Sequence, residues 1–143
     1  MKIVINTCFG GFGVSQAATV RYNELKQRPC YLFHQKDLKG PFVRILPGER
    51  PALGIFYAFD VNEIPLDRSD LWWKEHDASI DNHRYNSEIR SDPALVQVVE
   101  ELGEFADGPY ARLKVIEIPD GVEFEIDDYD GCETVREKHR SWS

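Results

Sequence analysis

The pattern of apolar and polar positions along the chain predicts both helices and strands. The clearest helix covers about residues 92–102, where apolar side chains recur at the three- and four-residue spacing of one helix face. Ser91 or Asp92 would cap its N-terminus. Pro93 fits its first turn and Gly103 fits its end. The apolar stripe consists of Leu95, Val98, Val99 and Leu102.

A second helix is predicted from Gln16 to about residue 27, with Ser15 as its N-cap and Pro29 as its stop. It comes after a strand over Lys2–Asn6, in which the apolar residues are consecutive, as in a buried strand. Between the two elements the sequence NTCFGGFGVS places three glycines within four positions. The chain therefore passes from strand to helix through a glycine-rich turn.

The remaining elements are shorter. Between residues 30 and 60 the runs YLF, FVRIL and GIFYAF predict a β-meander or a pair of hairpins. Residues 61–89 are polar and are predicted to form a long loop with one helical turn. A strand over about 111–118, a turn at 119–121 and the alternating run VEFEI predict an antiparallel hairpin. Together these elements predict an α+β fold with a single mixed sheet, two main helices, the N-terminal strand central and the C-terminal hairpin in the same sheet.

Length and charge limit the classes of function. A chain of 143 residues fits a single domain with one hydrophobic core. The net charge of −8 opposes binding to duplex nucleic acid, which requires a basic surface. No apolar run is long enough to span a membrane, and the N-terminal apolar run is too short for a signal peptide. Three scattered cysteines without a CxxC pair favour a reducing cytoplasm and indicate no thiolate metal site.

The glycine-rich turn is the first candidate for a binding site. A strand, a glycine turn and a helix N-terminus together offer backbone N–H groups to an anion. Gly10, Gly11 and Gly13 can adopt positive φ and leave room for a phosphate, and Phe12 would stack on a base. The sequence lacks the ending of a Walker loop and departs from GxGxxG. The alternative is that the glycines only turn the chain while Phe9 and Phe12 fill the core.

Two further candidates contain arginine. Arg90 lies just before the predicted helix N-terminus, where it would add its guanidinium to the helix dipole; the alternative is a surface pair with Asp92 or Glu88. Near the C-terminus, basic and aromatic residues would clamp a base, or alternatively dock on the body of the protein. The predicted ligand-binding residues are Thr7, Cys8, Phe9, Gly10, Gly11, Phe12, Gly13, Ser15, Arg90, Asp92, His139, Arg140 and Trp142.

Catalytic interpretations are weaker. Cys8 follows a strand and precedes a helix, a position that can activate a thiol, but no histidine is adjacent in the sequence. His76, Asp77, Asp81 and His83 match no known metal spacing. The sequence therefore assigns no catalytic residue, no metal site and no cofactor.

Three stretches resemble a family of small proteins encoded by bacteriophages and prophages. They are KIVINTCFGGFGVS, the region IRSDPALVQVVEELG with GPYARLKVIEIPDG after it, and EIDDYDGCETVREKHRSW. The resemblance covers about half of the chain. It implies that residues from about 29 to 86 are a lineage-specific insertion within the single domain 1–143.

The resemblance implies a phage context and a role against host defence in the host cytoplasm. The expected function is a counter-defence protein that binds and sequesters a nucleotide-derived immune signal without cleaving it, as sponge proteins do. Its partners would be a small anionic nucleotide-like ligand and further copies of the chain in a homo-oligomer, with no duplex nucleic acid and no membrane. Two alternatives stay open. One is a nucleotide-modifying or nucleotide-degrading enzyme, and the other is a protein inhibitor of a host defence factor, anchored by Trp72, Trp73 or Trp142.

Overall fold

The computed structural model describes residues 1–35, 41–46, 49, 55–81 and 87–138. These residues form helices and strands in mixed order along the chain. The elements are β1 (Lys2–Asn6), α1 (Gln16–Leu25), β2 (Tyr31–Gln35), β3 (Phe42–Arg44), β4 (Tyr57–Phe59), α2 (Asp70–His76), α3 (Ser87–Arg90), α4 (Pro93–Leu102), β5 (Leu113–Glu117), β6 (Phe124–Tyr129) and β7 (Cys132–Glu137). A 3₁₀ turn over Gly103–Ala106 follows α4.

The predicted α+β class is confirmed, but the prediction of a single sheet is wrong. The strands that the structure describes form three small antiparallel sheets, ordered β1-β5, β3-β2-β4 and β6-β7. The chain divides into two compact units, one containing residues 1–18 and 80–143 and the other residues 19–79. Among the described strands, β1 pairs with β5 alone, so the N-terminal strand is not central.

The predicted hairpin over residues 111–126 is also wrong. β5 pairs with β1, in a register that joins Lys2 to Glu117 and Asn6 to Leu113. The C-terminal hairpin is instead β6-β7, closed by two residues at which the backbone has φ of 51° and 89°, Asp130 and Gly131. Positive φ at both central positions defines the tight turn that suits the twist of two antiparallel strands, and Asp-Gly is a favoured sequence for it.

The two main helices are confirmed. α1 begins where predicted, since the Ser15 hydroxyl accepts a hydrogen bond from the Ala18 N–H at 3.1 Å, and it ends at Leu25. In α4, the Asp92 carboxylate accepts from the Ala94 N–H at 2.9 Å. Gly103 ends α4 with φ of 57°.

The core of the first unit lies between α4 and β1. Leu95, Val98 and Val99 on α4 are buried, as the apolar stripe predicts, and the apolar residues of β1 are buried with them. α4 packs against both β1 and β5. This packing fixes the carboxyl end of β1, from which the glycine-rich turn leaves.

The second unit is built around an antiparallel sheet and an aromatic cluster. β2 is the central strand, flanked by β3 and β4, so the sheet is not a meander. Within the predicted long loop the chain forms α2, whose N-terminus is capped by the Ser69 hydroxyl. The rings of Trp72 and Trp73 on this helix pack against Phe59, with centroid distances of 5.4 Å and 5.2 Å. α3 adds a second helix to the segment 61–89, within which residues 82–86 lie outside the described residues.

No helix within the described ranges has both the length and the apolar composition needed to cross a membrane.

Candidate functional site

The site is organised by Asn6, the last residue of β1, which is completely buried. Its side-chain amide donates hydrogen bonds to the carbonyl oxygens of Cys8 at 2.7 Å and Gly131 at 2.6 Å. Its side-chain oxygen accepts the backbone N–H of Arg112 at 2.8 Å. One side chain thus joins three loops, which are the glycine-rich turn (residues 7–13), residues 108–112 and the β6-β7 turn. This role of Asn6 was not predicted from the sequence.

Two of the glycines in the turn have distinct physical roles. A β-carbon on Gly10 would overlap the carbonyl oxygen of Tyr110, so only glycine permits these two loops to touch. Gly11 has φ of 94°, which confirms the positive φ predicted there, and it has open space where a side chain would lie. The glycines therefore allow both the tight turn and the close approach of the loop that contains Tyr110.

Arg90 forms a buried ion pair with Glu133 of β7. The two side chains are 2% and 5% exposed, and the guanidinium donates to both carboxylate oxygens, at 2.7 Å and 2.8 Å. The guanidinium carbon lies 3.7 Å from the centroid of the Phe12 ring, within the range of a cation–π contact. The hypothesis of an exposed surface pair with Asp92 or Glu88 is wrong, because Arg90 is buried and its charge is balanced by Glu133.

The same ion pair covers the edge of β1 that faces away from β5. Glu133 accepts the backbone N–H of Asn6 at 2.8 Å, and Arg90 donates to the carbonyl oxygen of Val4 at 3.2 Å. These two backbone groups are ones that a neighbouring strand would otherwise satisfy. Arg90 and Glu133 therefore replace a strand at this edge, which explains why both are buried.

A cavity of about 380 Å³ lies beside this ion pair. Its lining residues include one arginine and three acidic residues, together with two phenylalanines. Since Glu133 already balances Arg90, the carboxylates of Asp128 and Asp130 give the cavity a negative field, which opposes a phosphate. The lining residues are Phe9, Gly10, Gly11, Phe12, Arg90, Asp128, Asp130, Gly131 and Glu133.

Three exposed aromatic side chains lie at these loops: Phe9 and Tyr110 on two of them, and Tyr129 at the end of β6, directly before the β6-β7 turn. Phe9, Tyr110 and Tyr129 are 69%, 73% and 73% exposed, and we call them the three-loop surface. The rings of Phe9 and Tyr129 meet edge to face, with centroids 6.4 Å apart. The hypothesis that Phe9 fills the core is therefore wrong, whereas Phe12 is 9% exposed and packs under Arg90.

Other predicted site residues have structural partners. The Thr7 hydroxyl donates to the carbonyl oxygen of Arg112 at 2.9 Å, and the Cys8 thiol donates to that of Tyr110 at 2.9 Å. The Gly13 carbonyl accepts the Gly108 N–H at 3.0 Å. Ser15 and Asp92 cap helices, as described above. The predictions for His139, Arg140 and Trp142 lie outside the described residues.

A larger open groove of about 610 Å³ runs along α4 and is less suited to recognition. Its lining includes Lys2 and Glu100, whose side chains form an exposed ion pair at 3.1 Å. None of the predicted binding residues that the structure describes lines it, and its described lining contains no aromatic ring. We therefore place the candidate site at the smaller cavity and the three-loop surface.

The candidates for catalysis that the structure describes make hydrogen bonds to neighbouring groups. In the second unit, the His76 imidazole contacts the Asp60 carboxylate at 2.8 Å, and Arg28 donates to the same carboxylate at 3.1 Å. Asp81 accepts the backbone N–H of Val14 at 3.1 Å, and His83 lies outside the described residues. Across the described ranges, no group of three or more metal-ligating side chains could hold an ion.

Cys30 is expected to react slowly as a nucleophile. Burial raises the pKa of its thiol from 9.0 to about 11, against the opposing charges of Arg28 and Arg44. At pH 8 the folded protein should therefore have about a hundredfold less Cys30 thiolate than the unfolded chain. Because the folded pKa is the higher one, the associated stability is present below pH 9 and is lost as the pH rises toward 11.

The measurement is the iodoacetamide alkylation rate of Cys30 against pH in a Cys8→Ser/Cys132→Ser protein, native and in urea. A midpoint shifted upward by about two pH units in the native protein is expected from the raised pKa. Steric shielding alone would lower the rate at every pH and leave the midpoint unchanged, and that outcome would contradict the assignment.

The comparisons with known proteins give no relative: no family model, no curated protein and no solved structure matches the chain.

Proposed function

We propose that the protein acts in counter-defence as a binding protein that blocks a host protein through the three-loop surface. The observation that carries this proposal is the presence of three exposed aromatic side chains on loops that one buried residue, Asn6, holds together. Aromatic residues are enriched among the anchors of protein interfaces. Loops that are already fixed lose little conformational entropy when a partner binds. The phage context rests on the sequence resemblance alone.

The tryptophans of the second unit are less suitable as anchors than the sequence suggested. Trp72 and Trp73 are half-buried, and their rings contact each other with centroids 6.5 Å apart. Both also pack against Phe59, so their apolar surface already contributes to the second unit. We therefore assign the anchoring role to Phe9, Tyr110 and Tyr129; the third tryptophan predicted as an anchor, Trp142, lies outside the described residues.

Capture of a nucleotide-derived signal is the second candidate, and the cavity beside Phe9 and Phe12 favours it. A volume of about 380 Å³ accommodates a nucleobase. Because the cavity is lined by Asp128 and Asp130, the base would enter and the phosphates would stay in solvent. The nucleotide would therefore bind in the opposite orientation to the one that the sequence suggested, in which the glycine-rich turn and Arg90 hold the phosphate.

Site-specific photocrosslinking distinguishes these functions. A benzoylphenylalanine placed at Phe9 is compared in a bacterial lysate with one placed at Leu66, which is 89% exposed and lies in the other unit. The proposal predicts one discrete protein adduct from position 9 and none at the same mass from position 66. In parallel, protein recovered from the lysate is heated, and the released small molecules are chromatographed.

The outcomes separate the alternatives. A position-specific protein adduct supports the inhibitor. Release of an intact nucleotide without such an adduct favours the sponge, and conversion of an added nucleotide favours an enzyme. Equal crosslinking from positions 9 and 66 would mean that the three-loop surface is not the binding site.

A further inference from the structure

We infer that the partner segment docking on the three-loop surface is cationic and inserts an arginine side chain beside the carboxylates of Asp128 and Asp130. This inference rests on the proposed function and names the chemistry of the partner. It follows from the charges and rings around the cavity.

The inner wall of the cavity shows how a guanidinium is accommodated there. The guanidinium of Arg90 contacts a carboxylate and an aromatic ring. Its nitrogen lies 2.7 Å from the Glu133 carboxylate oxygen, and its carbon lies 3.7 Å from the centroid of the Phe12 ring. Charge-assisted hydrogen bonds on one side and a ring face on the other are the two contacts that a guanidinium makes best.

The outer wall repeats the same two components. Asp128 and Asp130 are exposed, and both line the cavity with Phe9. Tyr129 lies between them in sequence, and its ring contacts that of Phe9. Arg90 is the one cation among the described residues that line the cavity, and Glu133 balances it. A second guanidinium from a partner would meet the acidic residues Asp128 and Asp130 there, beside the exposed ring of Phe9.

The charge of the whole protein favours such a partner. With 25 acidic and 17 basic residues, the protein attracts a basic segment at long range and speeds its association. Arginine suits the site better than lysine, because its planar fork binds a carboxylate through two hydrogen bonds and stacks on a ring. A neutral segment would use the rings alone.

The test is an NMR titration of ¹⁵N-labelled protein at 0.15 M salt with hexa-arginine and with hexa-citrulline, which has the same shape without the charge. Hexa-arginine should shift the amide signals of Gly11 and Gly131, and hexa-citrulline should not. Asp128→Asn/Asp130→Asn should weaken the binding of hexa-arginine by about tenfold or more. Asparagine is a conservative choice, because its side chain can still accept the Gly131 N–H, which Asp128 holds at 2.7 Å, and because it tolerates the φ of 51° at position 130.

Glu63→Gln/Asp67→Asn is the matched control, since it removes the same charge from two exposed residues of the other unit. The inference predicts a change of about twofold or less in this control. Three results would overturn the inference. Both double variants could weaken the binding of hexa-arginine equally, or hexa-citrulline could bind as tightly as hexa-arginine. The third is that guanosine monophosphate binds and hexa-arginine does not. If the protein adduct at position 9 persists while hexa-arginine fails, the proposed function stands and the cationic partner is wrong. If no position-specific protein adduct forms at position 9, the proposed function itself is wrong.

Discussion

Arg90→Ala is expected to lower the free energy of unfolding by about 3–5 kcal/mol, the usual cost of removing one partner from a buried ion pair. The variant would leave the Glu133 carboxylate buried without its counter-charge. It would also remove the donor to the Val4 carbonyl and the cation above the Phe12 ring. The prediction follows from burial, because an exposed pair contributes only about 0–1 kcal/mol.

Arg136→Ala is the matched control for this experiment. Arg136 also pairs with carboxylates, those of Glu125 and Asp127, each at 2.8 Å, but its side chain is 59% exposed. Its loss should change the free energy of unfolding by about 1 kcal/mol or less. Urea denaturation of the two variants and the parent measures both effects. An Arg90→Ala protein as stable as the Arg136→Ala protein would contradict the structural role assigned to Arg90.

The elements that could be predicted from the sequence are those whose signals are local. α4 has its cap, its proline, its apolar stripe and its terminal glycine within about twelve residues, and the positive φ of Gly11 is a local property of a glycine-rich turn. The α+β class follows from the same local patterns. These predictions depend on interactions between residues close in sequence, which can be recognised from the residue types alone.

The pairing of distant segments could not be predicted in this way. β5 and the run after it have the pattern and the turn of a hairpin, but β5 pairs with β1, whose apolar residues are buried, and no local rule reports that choice. Arg90 finds its partner 43 residues later, at Glu133. Only the Asp130-Gly131 turn carried a usable signal, an Asp-Gly pair with β-type sequence on both sides.

The candidate site was therefore found in part. The glycine-rich turn and Arg90 do lie at one cavity, although they are separated by about 80 residues in the sequence. The negative charge at the cavity could not be predicted, because the acidic residues Asp128 and Asp130 are brought to it by the β6-β7 turn. The role of Asn6 could not be predicted, since an asparagine at the end of a strand usually only begins the following turn.

Loss of the exposed aromatic rings is expected to have the largest effect on binding. Phe9→Ala/Tyr129→Ala removes two rings that contact each other on the three-loop surface. Truncating an aromatic anchor commonly costs about 2 kcal/mol or more, so the double variant should weaken the complex by about a hundredfold or more, even if the two effects do not fully add. Folding should change little, because both side chains are more than two-thirds exposed.

Leu66→Ala/Leu71→Ala is the matched control. These leucines are 89% and 64% exposed and lie in the other unit, so the control removes exposed apolar side chains away from the three-loop surface. It should change the affinity by about twofold or less. Melting curves of both double variants verify that any loss of binding is not a loss of folding.

The most direct measurement is the affinity of the partner crosslinked at position 9 for the parent, for Phe9→Ala/Tyr129→Ala and for Leu66→Ala/Leu71→Ala. If the three-loop surface is the binding site, affinity falls by about a hundredfold in the first variant and is retained in the second. Retention of parental affinity by a folded Phe9→Ala/Tyr129→Ala protein would show that the partner binds elsewhere.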